Sequence, residues 1–295
     1  MYQEIELAPL DEPMELGPSS LLWRWADQRL SFTGLTAGLL QLMHPAIGAG
    51  VIEHSDFFND PWDRVFRSVP QILDVVYSGP EAERAGRKVR NYHRRINGID
   101  YLGRPYDALS AETFWYAHAT FQHSVQQVAE RFSFSTFTAA QREQLYREGV
   151  EWHRRYDVGM AEVPPDYASW ATKWSHYNTH ILEMTPAAQR VLDLSLHGKA
   201  EHLPGLPTWT LPIQRQLLTP IFRLTQIGGL PKIVRDRFDI PWTVANQLEL
   251  QVFEEFVRRT WRFLPAKVRM PPESINGRQR EALAAQQTRP PRATK

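Results

Sequence analysis

The chain has 295 residues, 42% of them apolar, enough to bury one large helical core or two fused ones. Its 34 Lys and Arg nearly cancel 33 Asp and Glu, so no global field favours nucleic acid or an anionic membrane. Cysteine is absent, which excludes disulfides, iron–sulfur clusters, cysteine–zinc sites, thiolate-ligated haem and cysteine nucleophiles together.

Met1 to Pro18 is acidic and turn-rich, without a basic region followed by an apolar run. We read residues 1–20 as an N-terminal extension rather than a leader, and with no disulfides to form, the cytoplasm is the expected compartment. Leu35 to Ile52 is the longest apolar stretch, but Gln41, His44, Pro45 and three glycines interrupt it. A membrane span needs about 20 predominantly apolar residues, so a buried helix and its extension are expected instead of a transmembrane segment.

From there apolar residues recur at helical spacing, with little strand patterning. Asp60-Pro61 starts a helix through about Asp74, and Ser78-Gly79-Pro80 followed by Glu81 and Glu83 starts a second, which Asn97-Gly98 stops. Ser110 with Glu112 opens a third to about Arg131, and Thr138 with Gln141 forms a capping box for a fourth, to about Val158. Pro164-Pro165-Asp166 opens a fifth, Thr185-Pro186 to Gly198 frames a sixth, and Leu203 to Leu211 reads as a proline-rich loop. Two or three helices follow, the last from about Thr243 to Phe263. Beyond Pro271 the chain is polar and turn-prone, and residues 271–295 are expected to be a disordered tail. The reading is all-α, with residues 21–270 as one helical unit.

Pro80 to Asn97 carries the most chemistry. Wound as a helix, it places Ala82, Ala85, Gly86, Val89, His93 and Ile96 on one stripe, with Arg84, Arg87, Lys88, Arg90, Arg94 and Arg95 on the other faces. Small side chains beside a histidine let a flat macrocycle approach the backbone, and an apolar surround keeps the imidazole neutral, the form that ligates iron. The basic residues would reach propionates through charge-assisted hydrogen bonds. The same stripe equally describes an amphipathic helix with a core histidine. One helix earlier, Arg64 and Ser68 share a face with Arg67 beside them; the arginine and hydroxyl suit a propionate or a polarised oxygen ligand, or else Arg64 pairs with Asp60 or Asp63. His44, kinked by Pro45, and His118 are further cofactor-binding candidates, favoured as core or supporting side chains. His176 and His180, four apart, are the pair a non-haem metal would use, although no Glu-x-x-His signature accompanies them.

Read in order, several runs resemble one family. They are Gln41-Leu42-Met43-His44-Pro45-Ala46, Gly50-Val51, Glu53-His54-Ser55-Asp56-Phe57, and Asp60-Pro61 with Arg64. After these come Val76-Tyr77-Ser78-Gly79, Val89 to Gly98, Tyr106-Asp107-Ala108-Leu109, and Phe114 to Thr120. Together they are similar to the rubber oxygenase catalytic domain, shared with a fungal oxygenase of mycophenolic acid biosynthesis, over about residues 20 to 265. The resemblance implies a globin-like helical bundle enclosing one haem b. It implies His93 as proximal iron ligand, Arg64 and Ser68 in place of the family's arginine–threonine pair, and Arg67 near the position of a distal lysine. Arginine stays protonated and is a poor iron ligand, which leaves the distal side open and rubber as substrate in question. The implied chemistry is O₂ activation on a small apolar, isoprenoid or terpenoid substrate. Glu53 is then a candidate base for an allylic proton or a partner for an arginine. A haem carrier without turnover shares every ligand argument.

Overall fold

The computed structural model describes residues 12–199 and 201–287, which form fourteen helices and one hairpin, an all-α architecture. The N-terminal helices are α1 (Leu21–Trp25), α2 (Leu30–Met43), α3 (Pro45–His54), α4 (Pro61–Tyr77) and α5 (Ala82–Tyr92). Hairpin strands β1 (Asn97–Ile99) and β2 (Pro105–Asp107) lead into α6 (Ala111–Phe132), α7 (Ala139–Arg154), α8 (Tyr167–His176) and α9 (Pro186–His197). The chain closes with α10 (Leu211–Gly229), α11 (Lys232–Arg237), α12 (Val244–Thr260), α13 (Ala266–Arg269) and α14 (Pro272–Gln287).

Five helix starts are where the capping residues place them. Ser110 accepts from Thr113 N, Asp166 from Ser169 N and Thr185 from Ala188 N, while Thr138 with Gln141 and Thr243 with Asn246 close reciprocal boxes. Each satisfies backbone N–H groups that the first turn leaves without an intrahelical acceptor.

At the centre is α6, buried on almost every side, as a helix must be when other helices pack all round it. One wall of α6 (Phe114, Val125, Val128, Phe132) joins α1, α4, α5, α7 and α12 in a first apolar cluster. The other wall (Trp115, Tyr116, Ala119) joins α2, α3, α8, α9, α10 and α11 in a second. Helices α2 and α10 approach closely because Gly229 has no side chain: a Cβ there would lie 2.0 Å from Thr36 Oγ1. Thr36 Oγ1 donates instead to the carbonyls of Thr225 and Gln226. At His44-Pro45 the chain turns by 97° between α2 and α3, since proline cannot continue the hydrogen-bond ladder. Among the described residues no single helix is long and apolar enough to cross a membrane.

Some boundaries differ from those expected. Helix α5 stops at Tyr92, with His93 as its C-cap, instead of running to Asn97. The hairpin takes over there, pairing Asn97 with Asp107 and Gly98 with Tyr106, and Asp100 Oδ1 accepts from the N–H groups of Leu102 and Arg104 in its turn. The segment after Pro271, expected to be disordered, is α14 as far as Gln287, laid against α4. Gly277 seats on the Tyr77 carbonyl, and Arg280 and Arg278 donate to the carbonyls of Tyr77 and Trp23. Residues 288–295 lie outside the described residues, as do Met1 to Asp11 of the N-terminal extension. The rest of that extension contributes Leu16 to the first cluster.

Candidate functional site

The candidate residues converge where α3 ends, α4 begins and α5 gives way to the hairpin. His93 closes α5, and its Nδ1 lies 2.9 Å from the Val89 carbonyl one turn back. A carbonyl only accepts, so Nδ1 carries the proton and Nε2 keeps its lone pair. Phe114 of α6 meets the imidazole edge-to-face at 5.9 Å. Burial lowers the His93 pKa, the Val89 bond opposes that, and the Arg64 charge lowers it further, so the ring is neutral at pH 7.

Arg64 faces the same corner from α4. Its Nη1 donates to Ser55 Oγ in the link between α3 and α4. Burial, then the neighbouring Arg67, lowers the Arg64 pKa, though a guanidinium remains charged at any ordinary pH. The Asp63 side chain, one of the two expected partners, lies outside the described residues. Ser68 is half-buried one turn along α4, and Arg67 is exposed. From Pro61 to Pro70 no described side chain of α4 is fully buried, whereas Leu73, Val75, Val76 and Tyr77 are core residues.

Glu53 accepts from the Tyr106 hydroxyl at 2.5 Å through Oε2 and lies 3.8 Å from His54, so it pairs with a phenol rather than an arginine. Burial and then this carboxylate raise the Tyr106 pKa. Gly50 lets α3 approach the hairpin: a Cβ there would meet Ile96 Cγ2 at 3.1 Å.

The two other histidines are not at this corner. His44 is buried at the bend between α2 and α3, its Nε2 bonded to Glu112 Oε1 at 3.1 Å and its ring stacked on Tyr116 and Tyr177. Tyr177 donates to the same carboxylate oxygen at 2.6 Å. Burial opposes ionisation of Glu112, but the bonds from His44, Tyr177 and Thr113 prevail and hold it at about 2. His118 is buried on α6, where its Nε2 donates to the Gly149 carbonyl at 2.9 Å and its ring meets His153 at 5.0 Å. Both rings are packed in the core, each with its Nδ1 buried and without a hydrogen-bond partner among the described residues.

The small-residue stripe of α5 also differs from expectation. A Cβ on Gly86 would lie 1.9 Å from the Arg155 carbonyl oxygen, so the glycine receives the end of α7 and no flat ligand. Arg84, Arg87 and Arg90 are ion-paired with Glu81, Glu83 and Asp157. Arg94 and Arg95, beside His93, remain exposed. A shallow surface groove on α9, lined by Pro186, Gln189, Arg190 and Asp193 among others, contains none of the candidate residues.

The family described as ER-bound oxygenase mpaB/B′ and rubber oxygenase, catalytic domain, matches residues 22–263. The chain belongs to this oxygenase family. No curated protein and no solved structure matches it. The oxygenase domain thus takes in α1 through the turn after α12, and α13 and α14 lie beyond it.

A haem iron needs a neutral imidazole with one bare nitrogen, oriented by a bond from the other. His93 has that form in this oxygenase, with the Arg64 cation close by on α4, so the donor set fits the group even though Gly86 offers it no cradle. Ser55, Tyr106 and Phe114 complete the corner. Ser55 stood unremarked inside the Glu53–Phe57 run, and nothing in residue spacing marks a phenol or a phenyl ring arriving from a hairpin and a separate helix.

Proposed function

We propose that this oxygenase holds haem b on His93 Nε2 and oxidises a small apolar substrate, isoprenoid or terpenoid, with O₂. The observation that supports it best is the bond from His93 Nδ1–H to the Val89 carbonyl. It directs the Nε2 lone pair away from the helix and leaves it available to iron. When bound, haem b would supply an iron centre that takes up O₂ for cleavage of a carbon–carbon double bond.

The remaining work falls to the chain's own groups. Arg64, steadied by Ser55, places a positive charge that adds to burial in keeping His93 neutral and can donate to a propionate or another oxygen atom. Ser68 offers a hydroxyl on the same helix. In the Glu53–Tyr106 pair the phenol keeps its proton and donates it to Glu53 Oε2, so the carboxylate is the group that would take up an allylic proton. The partly uncovered Trp62 and Val65 of α4 offer apolar surface for the substrate. A non-haem metal has less to use. Among the described residues no three histidine or acidic side chains gather as ligands, and His176 and His180 are two exposed rings 5.1 Å apart.

The test is haem content of protein purified from cells supplied with a haem precursor. A Soret band with near-stoichiometric haem b is expected, with loss of haem in His93→Ala and unchanged helical content by circular dichroism. Full haem retention in that variant moves the ligand elsewhere. Uptake of O₂ with a reductant and an isoprenoid alkene, against none with haem-bound protein alone, separates an oxygenase from a carrier.

A further inference from the structure

Helix α12 is anchored on one side and bare on the other. Leu250 and Val257 are buried, Glu254 pairs with Arg131 at 3.3 Å, and Arg258 donates to the Arg131 carbonyl at 2.7 Å. On the outer face Val244, Leu248, Val252 and Phe256 are spaced by four residues and are 79%, 57%, 71% and 63% exposed. In the segment after the helix Phe263 is 73% and Val268 52% exposed. Scattered surface apolar residues need no explanation, but a continuous line of this length on a rigid helix is a recognition feature.

Its charges are one-sided. From Phe256 to Pro272 the sequence has Arg258, Arg259, Arg262, Lys267 and Arg269, and no aspartate or glutamate. Arg258 turns inward and Arg269 bonds the Leu264 carbonyl, but Arg262 and Lys267 are exposed beside Phe263 and Val268. Glu249 is the acidic residue on the outer face of the helix. Glu255 is tied to both Arg258 and Arg259 at 2.5 Å.

We infer that the outer face of α12 and the basic turn after it dock on an anionic lipid surface. An apolar face buried at the headgroup boundary beside lysine and arginine is the physical pattern of an interfacial helix. The near-neutral net charge of the whole chain hides this cluster, because attraction to a charged bilayer acts only within about a Debye length of the surface. The apolar line supplies insertion, and Arg262 and Lys267 supply the preference for anionic headgroups. The inference does not depend on the haem reading.

The experiment is co-sedimentation of the full chain with vesicles of phosphatidylcholine alone and of phosphatidylcholine mixed with phosphatidylglycerol. Binding to the mixed vesicles, weakened by added salt and much poorer on neutral ones, is expected. Arg262→Gln with Lys267→Gln should lower partitioning about 25-fold, at roughly fivefold per charge near the surface. Val252→Glu with Phe256→Glu should abolish binding while leaving the thermal midpoint unchanged, since both side chains are solvent-facing. Equal binding to the two vesicle types, no binding to either, or variants that bind like the parent would overturn the proposal. So would a dimer seen by light scattering that Val252→Glu dissolves, which would assign the face to a second copy of the chain.

Discussion

Replacing Gly86 by alanine sets two effects of opposite sign against each other. In an uncrowded helix the change stabilises by about 1 kcal/mol, because alanine loses less backbone freedom than glycine. Here the new Cβ would lie 1.9 Å from the Arg155 carbonyl oxygen and 2.4 Å from its carbon, both backbone atoms. Separating them to ordinary contact requires a retreat of more than about 1 Å. The Arg155 turn resists it, since the guanidinium donates to the Val75 carbonyl at 2.8 Å and pairs with Glu151 at 3.3 Å. Overpacking of this kind costs about 1–3 kcal/mol, occasionally more, and the rigid surround places it at the upper end. The net expectation is a loss of about 2 kcal/mol, or roughly 5 °C in thermal midpoint for a chain of this size. Thermal denaturation followed by circular dichroism, with and without bound haem, measures it. A flat ligand lying against Gly86 would instead leave the ligand-free variant as stable as the parent or more so, and haem content alone would suffer. A midpoint unchanged or raised in ligand-free Gly86→Ala would refute the α5–α7 contact.

Three further outcomes are expected. Burial holds His123 at about 3 and His153 at about 4, well below the ordinary histidine value of 6.5. The unfolded chain therefore binds more protons as pH falls below 6.5; stability is fully present above that and declines by about 1.4 kcal/mol per pH unit for each ring, until about 4 for His153 and about 3 for His123. Urea midpoints that are flat between pH 7 and pH 5 would contradict this. Glu112→Ala strips the acceptor from His44 Nε2 and Tyr177 Oη, and leaving such donors unpaired should cost about 2–3 kcal/mol in chemical denaturation. Truncation after Pro271 removes the α14 contacts with Trp23 and Tyr77 and should lower the thermal midpoint by several degrees; a dispensable tail would leave it unmoved.

Each feature legible in the chain was local. Thr138 with Gln141 and Thr185 before Pro186 mark helix starts because a cap acts on N–H groups two or three residues away. Family membership was legible because motifs spread over many residues occur in a fixed order. The stripe alone fitted a core histidine, and the resemblance singled out His93 as an iron-ligand candidate; its bond to Val89 is again a one-turn relation, although the end of α5 at Tyr92 was not marked.

What the chain left open turned on partners far away in sequence. Gly86 looked like a seat for a macrocycle until the Arg155 carbonyl filled it. His44 and His118, favoured from the sequence as core or supporting side chains, are buried and bonded through Nε2 to Glu112 and to the Gly149 carbonyl. The polar run after Pro271 has little apolar patterning of its own; it is helical because Gly277 and two arginines find the carbonyls of Tyr77 and Trp23. By itself the sequence determined the all-α class, the helix starts and the family. Only tertiary structure decided which glycines and histidines face a site and which fill the core. The physical reason is range: capping and periodicity act within a turn or two, whereas burial and hydrogen-bond satisfaction depend on which distant segment arrives opposite.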